Sequence, residues 1–302
     1  MTNNYSSVSE LKPERLKRSP IGFDELNWLY GYSKWPQGDV WGIPQYKISL
    51  WSGQSGTGKS RVAISAAKFF ASIGQKVLYF QNEVDLNTFS GWIPDRKNCE
   101  NFFCSNETSI MEQIKIIGEI KPSLVIVDSV NEIEEYRSGT KKDIQNIINL
   151  YRKVTIGKIV NHVIFLAQLN QDGTVKGSTT LPHLVDISMD LKPIMDNGSL
   201  FTMSIGLKHR YGRKGKEFIT MWRHLDTGVE CISNNRLKDE VWCLSNNVPI
   251  QKEYVDPMVE WATNVMIARE NGVPERNIPK SPYQIEEDKK NKFSFKKFIF
   301  GE

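Results

Sequence analysis

The stretch Gly53-Gln54-Ser55-Gly56-Thr57-Gly58-Lys59-Ser60 fits the pattern G-x-x-x-x-G-K-[ST] of a phosphate-binding loop. Its glycines allow backbone N–H groups to close around phosphate oxygens, and the start of the following helix adds the positive end of its dipole. We expect Lys59 to reach the β- and γ-phosphates of a nucleotide and the Ser60 hydroxyl to bind Mg²⁺. The expected cofactors are therefore ATP and Mg²⁺, and Arg61 completes the expected binding stretch.

The residues on either side of this loop have the pattern that the motif requires. Residues 47–52 alternate between apolar and polar side chains, as a strand does. Residues 61–73 carry apolar side chains at helical spacing, and Gly74 follows at a position where helices often end. The alternative is a glycine-rich turn that matches the motif by chance, and the strand and helix around the loop argue against it.

Two further predicted strands end next to carboxylates. Residues 76–81 are short, apolar and rich in strand-forming side chains, and Glu83 follows them. Four aliphatic residues at 124–127 precede Asp128. The carboxyl ends of strands in open α/β sheets face the ligand crevice. We therefore expect Asp128 to hold Mg²⁺ and Glu83 to orient or deprotonate the attacking water, although Glu83 alone also fits an ordinary surface acid.

A third predicted strand, residues 162–168, ends in Gln168, and a polar loop follows it at 171–180. The Gln168 amide can hydrogen-bond the γ-phosphate, or it can be satisfied locally. The loop contains glycines, hydroxyls and Lys176, which suit contacts with nucleic-acid phosphates, and a plain connection is the alternative. The charged stretch at 131–142 is expected to be an exposed loop.

Two antiparallel strands are predicted at 200–207 and 217–222, with a basic tip between them at 208–216. A rigid pair of strands that holds Lys208 and Arg210 away from the fold is suited to reaching the ATP of a neighbouring subunit. A guanidinium group there neutralises the charge of the phosphoryl-transfer transition state. The alternative is a solvated turn.

Composition excludes several classes of protein. The chain has 302 residues, of which 39% are hydrophobic and 25% charged, as in globular proteins with a sizeable core. The net charge of +4 permits nucleic-acid binding without arguing strongly for it. The four cysteines form no C-x-x-C pair, which argues against zinc and disulfides. A long apolar run and a signal-like start are both absent, so we expect a cytoplasmic protein without membrane contact.

The two ends of the sequence differ from its middle. We expect a flexible arm at 1–19, an ATPase core at 20–232 and an extension at 233–302. In the extension, residues 255–271 have the pattern of a helix. Residues 289–300 interleave lysines with aromatic side chains, which suits single-stranded nucleic acid or a partner protein, and packing on the same chain is the alternative.

The order of these motifs resembles that of the RecA-like ATPases, and within them the RadA/Sms branch. The likeness covers about residues 19–232. Ile21 and His209 depart from the branch at positions where it has Thr and Asn. The branch also has an N-terminal zinc module and a C-terminal Lon-like domain, and we expect neither of them in this sequence. The Lys208–Arg210 pair is also similar to the K-x-R pair of DnaB-type replicative helicases. Four stretches carry the likeness: Gly22-Phe23-Asp24-Glu25-Leu26, Val77-Leu78-Tyr79-Phe80-Gln81-Asn82-Glu83, Asp172-Gly173-Thr174-Val175-Lys176-Gly177 with Leu181-Pro182-His183-Leu184-Val185-Asp186, and Lys208-His209-Arg210-Tyr211-Gly212.

The resemblance implies a hexameric or filamentous motor that hydrolyses ATP between subunits and moves on single-stranded DNA. It implies that Glu83 is the catalytic glutamate and Gln168 the γ-phosphate sensor, while Lys208 and Arg210 act on the adjacent subunit's ATP. The loops near 131–142 and 171–180 would line a DNA channel. The expected DNA-binding residues are Arg137, Lys141, Lys142, Lys176, Ser178 and Thr179.

The sequence thus predicts an α/β fold, with a RecA-like core of mostly parallel sheet flanked by helices and an antiparallel C-terminal hairpin. The expected function is ATP hydrolysis by a DNA-binding motor, such as a helicase, or by a recombination or replication ATPase. The extension is expected to bind a replication or recombination protein. A KaiC-like signalling ATPase, and a nucleotide-gated helicase loader or recombination mediator, remain alternatives. A GTPase is disfavoured because the motif N-K-x-D is absent.

Overall fold

The computed structural model describes residues 16–35, 38–137, 140–194, 200–211, 219–225, 228–234, 265, 268, 273–280 and 285. Most of the N-terminal arm, the basic tip from 212 onward and the tail at 289–300 lie outside these residues, as does the predicted helix at 255–271 apart from 265 and 268. Within the described part of the chain, every helix is too short or too polar to span a membrane.

Helices and strands alternate along residues 16–186, and the described residues from 187 to 234 are mostly in strands. A 3₁₀ turn at Val130–Glu132 and another at Glu275–Asn277 add to them. The helices are α1 (Asp24–Tyr30), α2 (Lys59–Ser72), α3 (Leu86–Gly91), α4 (Ile110–Ile120), α5 (Glu134–Arg137), α6 (Lys141–Ile156) and α7 (Leu181–Leu184). The strands are β1 (Arg18–Ser19), β2 (Tyr32–Trp35), β3 (Gly38–Trp41), β4 (Ile43–Pro44), β5 (Lys47–Gly53), β6 (Val77–Gln81), β7 (Phe102–Ser105), β8 (Leu124–Asp128), β9 (His162–Gln168), β10 (Ile187–Pro193), β11 (Leu200–His209), β12 (Ile219–Leu225) and β13 (Gly228–Asn234).

A sheet of nine described strands forms the centre of the fold, in the order β13-β12-β11-β10-β5-β9-β8-β6-β7. From β10 to β7, each neighbouring pair is parallel. From β10 to β13, each neighbouring pair is antiparallel. The predicted α/β fold, with a mostly parallel sheet and antiparallel strands near its C-terminal end, is confirmed. Because β5, β6, β8 and β9 run in one direction, their carboxyl ends meet at one edge.

Alternating side chains on the parallel strands divide the core into two layers. On β6, Val77 and Tyr79 face one layer, while Leu78 and Phe80 face the other. The first layer packs against α2, and the second packs against α4 and α6. The strands are buried on both faces, which explains why their sequences read as nearly continuous apolar runs.

Three stretches differ from the sequence-based expectations. The sequence pattern at residues 88–107 predicts neither a helix nor a strand, but α3 ends within them and β7 forms the sheet edge beside β6. Residues 131–142 were expected to be an exposed loop, but they contain part of a 3₁₀ turn, the whole of α5 and the start of α6. Buried Tyr136 anchors that segment to the core. No strand was predicted at β10, although its side chains alternate clearly between apolar and polar.

The described end of the N-terminal arm also differs from its expectation. Arg18 was expected to lie in a flexible basic segment, but its side chain is completely buried. Its guanidinium donates hydrogen bonds to the Tyr30 carbonyl at 2.9 Å, the Gly42 carbonyl at 2.8 Å and the Tyr211 carbonyl. A buried charge is tolerated when hydrogen bonds satisfy its donors, and Arg18 therefore joins the N-terminal segment to the core.

Candidate nucleotide-binding site

The phosphate-binding loop lies where the sequence predicts it, between the end of β5 and the first residue of α2. Gly58 has a φ of +90°, and a Cβ atom there would clash with the His224 ring, so this position requires glycine on two grounds. The Thr57 hydroxyl donates to the Gln54 carbonyl at 2.8 Å and tightens the loop. The loop therefore has the strand–turn–helix geometry that presents backbone N–H groups to an anion.

The Lys59 side chain is folded over this loop and is only 7% exposed. Its amine donates to the carbonyls of Gly53 and Gln54, each at 2.8 Å. Burial lowers the pKa of Lys59, while the negative charges of Asp128 and Glu83 act in the opposite direction. The amine is thus held at the mouth of the loop, next to the backbone groups that would surround a phosphate.

Asp128 occupies the end of β8, between the ends of β6 and β9, and is 2% exposed. Its carboxylate accepts a hydrogen bond from the Tyr79 hydroxyl at 2.7 Å. Burial raises the pKa of Asp128 to about 6, against the opposing effect of its hydrogen bonds with Ser60 and Tyr79. The Ser60 hydroxyl and the Asp128 carboxylate therefore lie together, and they form the pair of hard oxygen ligands that Mg²⁺ prefers.

Glu83 and Gln168 meet across the same edge of the sheet. The Gln168 side-chain amide donates to a Glu83 carboxylate oxygen at 2.8 Å, although the two residues follow different strands. The Glu83 backbone N–H donates to the Gln81 side chain at 2.9 Å, which fixes the turn after β6. Gln168 also pairs in register with Gly53, the first residue of the phosphate-binding loop. The structure thus brings the predicted acid and the predicted sensor together beside the loop.

Unsatisfied polar atoms at this edge provide a test of whether a hydrated ion and phosphates fit here. Among the described residues, the side-chain atoms Gln81 Nε2, Asn82 Oδ1 and Ser129 Oγ are buried without a hydrogen-bond partner. All three follow or end β6 and β8, next to Asp128. Buried polar groups in native proteins are almost always hydrogen-bonded, to protein or to water. A magnesium ion with its coordinated waters would supply partners, so the residues present fit Mg²⁺ and ATP.

A cavity of about 780 Å³ extends from the loop toward the sheet face and is large enough for a nucleotide. It is lined by the loop, Glu83, Asp128 and Gln168. Ile93, Pro94 and the 45% exposed Trp92 also line it. An exposed indole in a cavity that begins at a phosphate-binding loop is suited to stacking on a nucleobase.

His224 on β12 closes another side of this cavity. Its ring lies 5.0 Å from that of Phe201 and contacts Gly58. Within the described residues, neither ring nitrogen has a hydrogen-bond partner, and burial lowers the pKa of the imidazole. Neither Trp92 nor His224 belongs to a local sequence motif, and only the fold brings them to the loop.

The structure places Lys208 and Arg210 away from their own chain's phosphate-binding loop. Lys208 lies within β11 and not at a hairpin tip, and its amine donates to the His183 carbonyl. Burial and the nearby positive charge of Arg210 lower the pKa of Lys208. Arg210 lies 3.8 Å from an Asp186 oxygen. Lys208 and Arg210 flank His209, which pairs with Ile187 at the start of β10, whereas the phosphate-binding loop begins at Gly53, which pairs with Leu191 toward the other end of β10.

The expected DNA-binding residues fall into two groups. Arg137, Lys141, Lys142, Lys176 and Thr179 are exposed, as a surface contact requires. Arg137 also lies 3.4 Å from a Glu132 carboxylate oxygen. Ser178 is an exception, because it is buried and its hydroxyl accepts the Leu181 N–H at 3.1 Å. The Ser178 hydroxyl is thus used to start α7, and its contact with DNA stays a prediction that this conformation does not favour.

The loop after β9 is more ordered than its composition indicates. A bridge joins Leu169 to Val175, and the Lys176 backbone N–H donates to the Gln168 carbonyl at 2.8 Å. The Asn131 side chain accepts the Gln168 N–H at 2.8 Å and donates to the Lys176 carbonyl at 2.6 Å. Sequence analysis missed Asn131, because a single Asn in a charged stretch carries no distinguishing signal.

Comparison with known proteins gives sequence relatives and a structural neighbour, and no protein-family model matches the chain. The DNA repair protein RadA of Mycolicibacterium smegmatis is 26% identical over 239 residues, which is 75% of this chain and 48% of that protein. The DNA repair protein RadA of Aquifex aeolicus is 25% identical over 230 residues, 74% of this chain and 48% of that protein. The chain thus spans about half the length of these relatives.

One structural neighbour is the crystal structure of a KaiC-like protein from Pyrococcus horikoshii. It is 16% identical, its TM-score is 0.53, and the match covers 73% of this chain and 99% of that one. At this identity the match concerns the fold alone, while the RadA matches concern the sequence. The fold of this chain is therefore that of the RecA-like P-loop ATPases, and its sequence is similar to that of the RadA proteins.

Proposed function

We propose that this chain hydrolyses ATP with Mg²⁺ in an assembly with other copies of itself, and that single-stranded DNA stimulates the reaction. One observation carries the ATPase part of this proposal. The ends of four parallel strands bring Lys59, Ser60, Glu83, Asp128 and Gln168 to one cavity. These are the groups that phosphoryl transfer requires for binding phosphates, holding a metal ion and positioning water.

Each of these side chains has a role that follows from its present contacts. The Lys59 amine would exchange the Gly53 and Gln54 carbonyls, both at 2.8 Å, for phosphate oxygens. Glu83 would accept a hydrogen bond from the attacking water and align it with the γ-phosphate. Gln168, which lies 2.8 Å from Glu83, would report the γ-phosphate by exchanging that hydrogen bond. Ser60 and Asp128 would hold Mg²⁺, which neutralises charge on the β- and γ-phosphates.

Lys208 and Arg210 support the assembly part of the proposal. They lie at the end of the sheet opposite to their own loop, which supports a role for them at the site of a neighbouring copy, where they would supply positive charge to the transition state. A head-to-tail interface, in which the far edge of one copy meets the loop of the next, generates a ring or a filament. We assign Lys208 and Arg210 to act in trans across that interface.

DNA as the stimulating partner is supported by the position of the exposed basic groups and by the sequence relatives. Lys176 follows β9, directly beyond the site, and the α5 residue Tyr136 donates a hydrogen bond to its carbonyl at 3.0 Å. Arg137 therefore lies on a segment that contacts the Lys176 loop. The relatives at 25–26% identity are named DNA repair proteins. Contacts of this kind to phosphates lose strength as salt rises.

The proposal is tested by the steady-state rate of ATP hydrolysis, with and without single-stranded DNA, at low and moderate salt. We expect stimulation by DNA that weakens with salt. Lys59→Ala is the negative control, and its turnover should fall to background. A rate that is abolished by Lys59→Ala but indifferent to DNA would refute the DNA part and favour a signalling ATPase or a nucleotide-gated adaptor. Unchanged turnover in Lys59→Ala would refute the site.

A further inference from the structure

Asn131 joins the end of β9 to the loop that follows it. The residue is 6% exposed, so water does not compete for its side-chain amide. Its oxygen accepts the backbone N–H of Gln168 at 2.8 Å, and its nitrogen donates to the backbone carbonyl of Lys176 at 2.6 Å. One amide thus connects the backbone of the proposed γ-phosphate sensor to the backbone of the proposed DNA contact.

Asn131 is attached to the same edge of the sheet as the proposed metal ligand. The residue lies in the 3₁₀ turn that follows β8, three positions after Asp128. The Asp128 carbonyl in turn accepts the Asn82 N–H at 2.7 Å, which ties the same turn to the end of β6. The bridge is therefore anchored to the strands that carry the proposed metal ligand and the proposed catalytic acid.

Tyr136 supports the same carbonyl from a second side. Its hydroxyl donates to the Lys176 carbonyl at 3.0 Å, and the residue is 4% exposed. Its ring also lies against Gly177, where a Cβ atom would come within 2.8 Å of Tyr136 Cε1 and where φ is +81°. The loop can pack this closely only because residue 177 is glycine.

We propose that Asn131 is a positioning residue that transmits occupation of the phosphate site to the loop containing Lys176. The inference rests on the proposed function, which assigns the γ-phosphate contact to Gln168. When Gln168 exchanges its hydrogen bond to Glu83 for a phosphate oxygen, the end of β9 is drawn toward the nucleotide. The Asn131 amide moves with the Gln168 N–H, and the Lys176 carbonyl follows because it is bonded to the same amide.

Asn131→Asp keeps one hydrogen bond of this bridge and removes the other. The carboxylate still offers an acceptor to the Gln168 N–H, but it places an oxygen in front of the Lys176 carbonyl in place of a donor. Gln113→Glu is the matched control, since Gln113 is 0% exposed and its amide also bridges two partners. It donates to the Glu107 carbonyl and accepts from the Tyr151 hydroxyl, each at 2.6 Å, on a helix outside the site.

Trypsin supplies a readout that needs no DNA, because it cleaves after the exposed Lys176. Cleavage requires that carbonyl to leave its hydrogen bonds, so the rate reports local opening of the loop. We expect Mg²⁺ with the slowly hydrolysed analogue ATPγS to slow cleavage after Lys176 by about fivefold in the unmodified chain. In Asn131→Asp we expect about two- to tenfold faster cleavage without nucleotide, since one hydrogen bond is lost. The expectation that tests the inference is that ATPγS changes the cleavage rate of Asn131→Asp by less than about twofold.

If Asn131 only stabilised the loop, Asn131→Asp would speed cleavage without nucleotide. It would leave the slowing of cleavage by ATPγS unchanged. Binding of ATPγS is measured in each variant by equilibrium dialysis, and Gln113→Glu should keep the response of the unmodified chain. If Asn131→Asp fails to fold, Tyr136→Phe is used, because it removes only the hydroxyl bond and should reduce the response in part. The inference would be overturned if ATPγS slowed cleavage after Lys176 as strongly in the folded variants as in the unmodified chain. It would also be overturned if bound ATPγS did not slow cleavage in the unmodified chain. Failure of DNA to stimulate hydrolysis would instead concern the proposed function alone.

Discussion

Mixing two inactive variants, Glu83→Ala and Arg210→Ala, should restore part of the ATP hydrolysis that each has lost. Each variant keeps the residue that the other lacks. If Arg210 acts on the ATP of a neighbouring subunit, an Arg210→Ala subunit provides an intact Glu83 site, and an adjacent Glu83→Ala subunit provides the arginine. The restored rate therefore measures whether the two residues meet across an interface.

The strand register gives the separation of Arg210 from its own phosphate-binding loop. His209 and Ser49 both pair with Ile187, whereas the loop begins at Gly53, which pairs with Leu191. Four residues along a strand span about 13 Å, and two strand spacings add about 10 Å in the perpendicular direction. The resulting separation between the backbones of His209 and Gly53 is about 16 Å. Arg210 follows His209, and its side chain is too short to span this distance. Arg210 also lies 3.8 Å from Asp186, on the side away from the loop.

The expected size of the recovery follows from random mixing. In a one-to-one mixture, half of the sites have an intact Glu83, and half of those face a neighbour with an intact Arg210. About one quarter of the sites are complete, so we expect roughly 25% of the unmodified rate when sites act independently. Loss of a catalytic base costs about 10²- to 10⁴-fold, and loss of an arginine finger about 10³- to 10⁵-fold. The background from either variant alone is therefore below about 1%.

The assay is steady-state phosphate release from variants that are unfolded together, refolded and shown by mass measurement to form mixed assemblies. A mixture of Glu83→Ala with Lys59→Ala is the control, because both residues serve the same chain's site and no mixed arrangement completes it. We expect no recovery in that control. Background rates from verified mixtures of Glu83→Ala with Arg210→Ala would refute the assignment of Arg210 to a neighbour's site.

Three other perturbations test separate parts of the molecule. Trp92→Ala should raise the KM for ATP about tenfold, since stacking on a base contributes about 1–3 kcal/mol. Inhibition by inorganic triphosphate should not change. Burial lowers the pKa of His162 to about 4, so the unfolded chain binds a proton that the folded chain does not between about pH 6.5 and 4. Stability should fall as pH drops through this window, by about 2 kcal/mol at pH 5 relative to pH 7.5. Lys176→Ala should weaken single-stranded DNA binding and lower its salt slope by about one unit, whereas Ser178→Ala should leave that slope unchanged.

Each of these expectations has a control and a contrary result. Equal losses of ATP and triphosphate binding in Trp92→Ala would show that the indole does not contact the nucleoside. His162→Asn should flatten the pH dependence of urea unfolding, and an unaltered dependence would assign it to other groups. A salt slope that falls equally in Lys176→Ala and Ser178→Ala would mean that the loop acts as a whole and not through the lysine charge.

The parts of the site that the sequence predicts are those fixed by short-range pattern. The stretch from Gly53 to Ser60 combines residue types and flanking elements within one strand–turn–helix unit, so its geometry is local. Glu83, Asp128 and Gln168 follow three predicted parallel strands, and the common direction of those strands brings their ends together. Only the general rule for parallel sheets is needed to place them, and no knowledge of strand order is required.

The parts that the sequence did not predict depend on contacts between distant segments. The sequence around Arg18 predicts a solvated charge. In the structure the carbonyls of Tyr30, Gly42 and Tyr211 surround its guanidinium. The sequence around Ser178 predicts a hydroxyl in a flexible loop. In the structure this hydroxyl is hydrogen-bonded to the start of α7. The position of β10 between β5 and β11 is a matter of strand order, which hydrophobic pattern does not encode.

The position of β10 has the largest consequence for function. Because β10 is parallel to β5 and β11 is antiparallel to β10, the end of β11 lies at the edge of the sheet opposite to the phosphate-binding loop. This arrangement puts Lys208 and Arg210 where their own site cannot use them. Arg18 then fixes the segment, since its guanidinium donates to the carbonyl of Tyr211, the residue directly after Arg210. If Lys208 and Arg210 act in trans as proposed, the site is completed only in an assembly, so the rate of ATP hydrolysis per subunit should rise with protein concentration until the assembly is saturated. A rate per subunit that is constant down to concentrations at which the protein is monomeric would contradict the trans arrangement, even if every residue of the loop proved essential.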